Sequence, residues 1–315
     1  MIELIDNNKK SKKEIEDFIA KVQSNELINF TTSGTTGLPK NIKHTINTIT
    51  KYVKQNDDNA VWGLTYDHSK IAAAHVIVQA LLNNNKLVNL YKRPTKEIHQ
   101  LIDKHSITHI SATPTFYKLN FTNEIFLSVK QITLGGETVT EQVINLVKRV
   151  FPCASISNIY ALTEFGSVLS SSSSLFKLSE RTKKFIKLKN TINVLYEGKW
   201  HDTGDLVELY EDGYFKIIGR ESSMINVGGY KVNPFSVEEK LNSFDGILSC
   251  RVYGLPNSLT GNIVAADIVA LDNVNLTELK KQLRLSLELH EVPRILNQVD
   301  TIKTNSTGKI SRTNE

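Results

Sequence analysis

LTYDHSKIAAAHVIVQALLNNNKLVNLY, residues 64–91, holds the end of one strand, a polar loop, an apolar helix and a second strand in that order. The run IAAAHVIVQALL at 71–82 predicts a buried helix, and the three asparagines at 83–85 end it in a turn. Farther along the chain the alternation continues: helix 95–105, strand 108–112, helix 115–119, strand 131–134, helix 140–150 and strand 155–160. Before it lie a helical stretch at 46–56, a short strand ELINFTT at 26–32, and an amphipathic helix at 11–23. That first helix opens with the capping box S-K-K-E on Ser11 and sets Ile15, Phe18, Ile19 and Val22 at helical spacing. Strands alternating with helices of this length give an α/β fold, a mostly parallel sheet with helices on its faces.

After Gly166 the texture changes. The five serines at 170–174 read as a loop or a polar strand edge, and Lys-rich, β-like segments follow up to Ile218. EDGYFKIIGR carries the hairpin pair Asp212-Gly213 with alternating flanks. Beyond Arg220 the pattern is α+β: a helix at 235–241, strands LSCRVYG and NIVAADIVAL, a helix at 276–289 and a basic tail. The expected organisation is a core domain over 1–220, closing with the short β-rich segment, and a small, mobile α+β domain over 221–315.

Composition narrows the function. With 315 residues, 40% hydrophobic and 23% charged, the chain has material for one large domain and a smaller one. The formal charge of +5 is mild, and the cations lack the single basic stripe with interleaved aromatics that marks nucleic-acid binders, whereas anionic ligands fit. The first residues have no signal-peptide h-region and nowhere do eighteen apolar residues run together, which predicts a cytoplasmic protein without a membrane span. Cys153 and Cys250 stand far apart, predicting a reduced compartment and buried apolar roles, and the eight histidines show no metal-ligand spacing.

The chemistry concentrates in a few stretches. NFTTSGTTGLPKNIKHT at 29–45 crowds hydroxyls and glycines before Lys40. Such a loop is either a plain turn or a cradle whose N–H and O–H groups meet phosphate oxygens. It is not a Walker A loop, because Gly34 and Gly37 are too close and Pro39 precedes the lysine; the proline predicts a loop between strands.

The string TTSGTTGLPK resembles the phosphate-binding signature of the adenylate-forming superfamily: acyl-CoA synthetases, adenylation domains of nonribosomal peptide synthetases, and luciferases. Four later stretches resemble that family's further motifs in the same order, and the resemblance runs from about Leu27 to the end. It implies ATP binding by Thr32, Ser33, Gly34, Thr35, Thr36, Gly37 and Lys40. In LGGETVTEQVINLVKRVFPCASISNIYALTEFGS it sets Gly136 and Glu137 along the adenine, adds Asn158 to the nucleotide set, stacks Tyr160 on the base, puts Thr163 on the α-phosphate and gives Mg²⁺ to Glu164. An aromatic face suits a purine, and a hard carboxylate suits a hard cation. Ala161 replaces the usual glycine, which is tolerable where the backbone needs no positive φ.

In WHDTGDLVELYEDGYFKIIGR the resemblance has Asp205 accept the ribose hydroxyls with Arg220 in support. Ser223 falls at the hinge, where many relatives carry aspartate, and Lys309 in KTNSTGKISR matches the catalytic lysine. The implied reaction is ATP-dependent activation of a carboxylic acid as acyl-AMP, followed by transfer to a phosphopantetheine thiol on CoA or an acyl carrier protein. A non-catalytic or partner-dependent nucleotide-binding relative is the alternative. Only some 26 residues precede the phosphate loop, so the resemblance implies a compact form without the usual N-terminal subdomain, and a homo-oligomer to cover the flank this leaves.

Overall fold

The computed structural model describes residues 2–32, 40–51, 53–55, 59–162, 166–302 and Ile310, and of residues 31, 32, 40 and 41 the backbone alone. The chain divides into two compact units, Met1–Ser174 and Leu175–Asn305.

The first unit runs β1 (Leu4–Ile5), α1 (Lys9–Gln23), β2 (Ile28–Thr32), β3 (Lys40–His44), α2 (Ile46–Thr50), β4 (Val61–Leu64), α3 (Ile71–Leu82), β5 (Lys86–Asn89), α4 (Thr95–His105), β6 (His109–Ala112), α5 (Pro114–Asn120), β7 (Gln131–Gly135), α6 (Glu141–Val150), β8 (Ser155–Leu162) and β9 (Gly166–Ser171). Its main sheet has the order β1-β5-β4-β6-β7-β8-β9. Every pairing is parallel except that of β8 with β9, so the serine-rich stretch begins as an antiparallel edge strand. Successive residues of a strand point to opposite faces, and Leu87 and Val88 accordingly enter different cores. One core takes α1, α2 and α3; the other takes α4, α5 and α6. Both faces of a parallel sheet must be covered, and helices do it here.

Local chemistry explains the edges of these elements. Helix α1 starts two residues before Ser11, because the side chain of Asn8 accepts from the N–H groups of Lys10 and Ser11 and caps the helix first. Ser11 instead donates to Asp6, whose buried carboxylate also receives Arg93 and the Asn89 amide at 2.7 Å. That cluster ties the N-terminal strand to the end of β5. The four apolar residues predicted for the α1 face are all buried. The helix expected at 46–56 is described only over Ile46–Thr50, with Thr45 as its cap. Cys153, expected to be buried, is exposed: Phe151 fills the core position and Pro152-Cys153 turn outward toward β8.

The second unit opens with β10 (Phe176–Lys177), β11 (Ile186–Leu188), β12 (Thr191–Tyr196), β13 (Lys199–Leu209) and β14 (Tyr214–Arg220), which form one antiparallel sheet in the order β10-β14-β13-β12-β11. Asp212 and Gly213, at φ 59° and 75°, make the predicted hairpin turn between β13 and β14. There follow β15 (Ile225–Val227), β16 (Tyr230–Val232), α7 (Pro234–Asn242), β17 (Ile247–Asn257), β18 (Gly261–Ala270), α8 (Leu276–Ser286) and β19 (Ile295–Gln298). Their sheet has the order β16-β15-β18-β17 with β19 added parallel to β18, and α7 and α8 bury its apolar core. Helix α8 stops at Ser286, short of the expected 289. The Ser286 hydroxyl donates back to the Gln282 carbonyl, and Leu287 turns extended to pack on the same core. Residues 221–224 lie between the two sheets of this unit, which are also joined by the Asn233 amide donating 2.8 Å to the Ile218 carbonyl.

Candidate active site

In the parallel sheet the chain moves from β4 outward to β5 and then returns to β6 on the other side of β4. Ligands of such sheets sit beyond the carboxyl ends of the strands at that reversal. The residues leaving β4, β6, β7 and β8 are therefore the ones that matter.

Thr65, just after β4, donates 2.6 Å to the Ser111 carbonyl of β6 and bridges the reversal. Tyr66 is buried beside it and its hydroxyl meets the Ser111 side chain. Burial first, and the nearby Glu137 carboxylate second, push this phenol well above its ordinary pKa, so it stays a neutral hydrogen-bonding group. Tyr117 spans β6 and β7 from below, its hydroxyl reaching the Ile110 carbonyl at 3.0 Å and the Thr133 carbonyl at 3.3 Å.

Strand β7 ends in Gly135, and Gly136 follows with φ 83°, a left-handed conformation that a side chain would strain. This turn delivers Glu137, whose carboxylate accepts 3.0 Å from the Thr115 N–H. On β8, Asn158 and Tyr160 share one face of the strand by their spacing. Asn158 is buried and its amide donates 2.9 Å to the Ser173 carbonyl, while Tyr160 is half-buried opposite Leu169 of β9. Ala161 lies within β8 and is not among the residues of positive φ, so the replaced glycine leaves no strain.

His68 comes within 3.8 Å of both Glu14 and Asp67. His75 is inside α3, where burial and the nearby His44 hold its pKa down to about 4. Three residues beyond the predicted set, Tyr66, Ser111 and Thr115, gather around Glu137 at this end of the sheet. The strand-end rule is the signal that finds them.

In the second unit, Asp205 and Arg220 are direct cross-strand partners on β13 and β14. The Arg220 Nε donates 2.7 Å to Oδ1 of Asp205, whose side chain is 6% exposed against 40% for the arginine. Gly204 lies at φ 68°, and beyond it the Asp205 N–H donates 3.1 Å to the Thr203 hydroxyl oxygen. A carboxylate is the acceptor type that suits the two hydroxyl donors of a vicinal diol. Ser223 ends a short 3₁₀ turn, Glu221–Ser223.

Ser33, Gly34, Thr35, Thr36, Gly37, Thr163, Glu164 and Lys309 lie outside the described residues, as do the side chains of Thr32 and Lys40. The strands flanking the hydroxyl-rich loop do pair, Thr32 with Lys40, so the loop joins two antiparallel strands. Among the described residues no group of three His, Cys, Asp or Glu side chains could hold a metal ion, and no helix is long and apolar enough to cross a membrane.

The family model for AMP-binding enzymes matches residues 3–188, and the chain belongs to that family, the adenylate-forming enzymes of the acid–thiol ligase type. It is 25% identical over 322 residues to the 2-succinylbenzoate–CoA ligase of Staphylococcus epidermidis, covering 89% of this chain and 67% of the relative. The 4-hydroxybutyrate–CoA ligase 1 of Metallosphaera sedula is 24% identical over 375 residues, covering 98% of this chain and 66% of the relative. Among solved structures, o-succinylbenzoate coenzyme A synthetase from Bacillus subtilis in complex with ATP and magnesium ion superposes with a TM-score of 0.66 at 20% identity, covering 90% of this chain and 68% of that one. The chain thus spans about two thirds of the length of the proteins it matches.

Proposed function

We propose that this chain activates a small carboxylic acid with ATP and passes the acyl group to a thiol of CoA or of a phosphopantetheine carrier. The observation that carries the reading is the strand reversal of the parallel sheet, with the Gly136 turn and Glu137 following β7 and with Asn158 and Tyr160 on the neighbouring β8. These residues fit a nucleotide: a turn without a Cβ allows close approach, and an aromatic side chain offers a face to a purine.

In the first half-reaction a carboxylate oxygen of the acid attacks the α-phosphorus, the bond to the β-phosphate oxygen breaks and pyrophosphate leaves. Asp205, steadied by Arg220, accepts from the ribose hydroxyls. Lys309 and Thr163 lower the charge on the reacting phosphoryl group, and the loop from Thr32 to Lys40 holds the other phosphates. A Mg²⁺ ion, which the motif resemblance gives to Glu164, neutralises phosphate charge when bound. In the second half-reaction a thiolate sulfur attacks the acyl carbonyl and AMP leaves, after a movement about Ser223.

The relatives' names give 2-succinylbenzoate and 4-hydroxybutyrate as their acids and CoA as the acceptor, so small acids and CoA are the first to test. The decisive assay is acid-dependent exchange of labelled pyrophosphate into ATP across a panel of such acids. Exchange with at least one acid is the expected outcome. ATP binding without exchange for any acid would replace this reading with the non-catalytic one. Lys309→Ala should abolish exchange yet still transfer a supplied acyl adenylate to the thiol; equal loss of both in a folded variant would refute its assigned role.

A further inference from the structure

Residues 176–201 contain seven lysines and arginines and two glutamates, a net charge of +5 that equals the formal excess of the whole chain. The remainder of the molecule is balanced, so the mild basicity is a local feature. All seven cations are exposed. Lys177 and Lys187 stand on strands of the antiparallel sheet, Lys189 in its β11–β12 turn, Lys199 at its β12–β13 hairpin, and Arg181, Lys183 and Lys184 in the connection from β10 to β11.

The register shows how the face is built. Ile186, Ile192 and Val194 are buried on the inner side, which turns Lys187, Leu195 and Trp200 outward. Trp200 is 39% exposed, with the Lys187 ammonium 4.0 Å from the centre of its ring. Tyr196, at the hairpin tip, is 42% exposed. At the opposite edge of the sheet, Lys177 lies 4.8 Å from the ring centre of exposed Tyr214. Exposed tryptophan and tyrosine are enriched at protein interfaces, and the cations around them supply charge complementarity for an acidic partner.

We propose that this sheet face docks an acidic protein, the carrier of the acceptor phosphopantetheine thiol. The identity of the partner as the acceptor's carrier rests on the activity proposed above; the choice of a protein rests on the face itself. A single-stranded nucleic acid needs open aromatic faces for its bases, and Lys187 already occupies that of Trp200. An anionic membrane favours an unbroken basic surface with an apolar wedge. Here Glu197 sits between Tyr196 and Trp200 at the tip, Glu180 pairs with Lys183, and Asp202 is exposed two residues beyond Trp200. Interleaved acids among cations specify a complementary protein surface.

The test measures binding of a fluorescent, phosphopantetheinylated acyl carrier protein to the full chain by anisotropy at 50 and 300 mM salt. Vesicles of phosphatidylglycerol and a single-stranded RNA serve as competitors. Binding that weakens with salt, falls at least tenfold in Lys187→Glu/Lys199→Glu and is retained in Lys187→Arg is expected, with pyrophosphate exchange unchanged within twofold. Carrier binding that is absent, or indifferent to the charge reversal, overturns the proposal, as does tighter binding of vesicles or RNA. The two readings fail separately: carrier binding without exchange strikes the activity, and exchange without carrier binding strikes the docking face.

Discussion

Asp205 shows what one residue contributes and how to separate chemistry from stability. Its side chain is nearly inaccessible and paired at 2.7 Å, yet its partner Arg220 is 40% exposed and can turn to water if the carboxylate is removed. Asp205→Ala should therefore cost only about 1 kcal/mol of stability, well below the loss expected when both partners of a pair are buried. For ATP, the proposed ribose contact disappears, and KM should rise at least tenfold with a smaller change in kcat. Thermal melts and initial rates decide it: a large fall in melting temperature with KM unaltered would make the pair purely structural. Asn158 carries the opposite lesson. The resemblance adds it to the nucleotide set, whereas the contact of its amide with the Ser173 carbonyl depends on how the chain turns after β9, which no local pattern carries.

Among the elements, the parallel sheet was legible because its signals are local. Alternating apolar runs, asparagine turns and helix-length spacings place α3, α4, β6 and β7 within a residue or two of where they stand. The ends were less legible because caps compete. At the start of α1, Ser11 begins a capping box, but Asn8 also offers a side-chain oxygen and reaches the N–H groups of Lys10 and Ser11. The winner depends on Asp6, which draws the Ser11 hydroxyl away, and Asp6 is positioned by Arg93 and Asn89 more than eighty residues on. Asn8→Ala should destabilise the chain by about 1 kcal/mol, the usual worth of an N-cap, while Asn8→Ser or Asn8→Asp should largely preserve it. Urea midpoints compare the three; an alanine variant as stable as the parent would show that the cap contributes nothing.

For the whole molecule, the sequence conveys composition and net charge but not which ionisable groups become buried together. His75 belongs to the apolar run predicted as a buried helix, and in the fold it is enclosed in α3 near His44 of β3. Burial, aided by the neighbouring His44, lowers its pKa from 6.5 to about 4. The unfolded chain takes up this proton near pH 6.5 and the folded chain only near pH 4, so stability must fall as pH drops through that window and level off below it. The shift corresponds to roughly 3 kcal/mol at its full extent. His105, lowered by burial and then by Lys104 beside it, adds to the same slope. Asp6, Asp67 and Asp267 also have lowered values, but from a starting point of 3.8, so the stability they supply is lost only in stronger acid. Two separate acid limbs follow. His75→Gln should flatten the fall in urea midpoint between pH 6.5 and 4 while leaving the steeper loss below it intact. If the variant keeps the parent's slope across the upper window, the titration of His75 is not what destabilises the fold there.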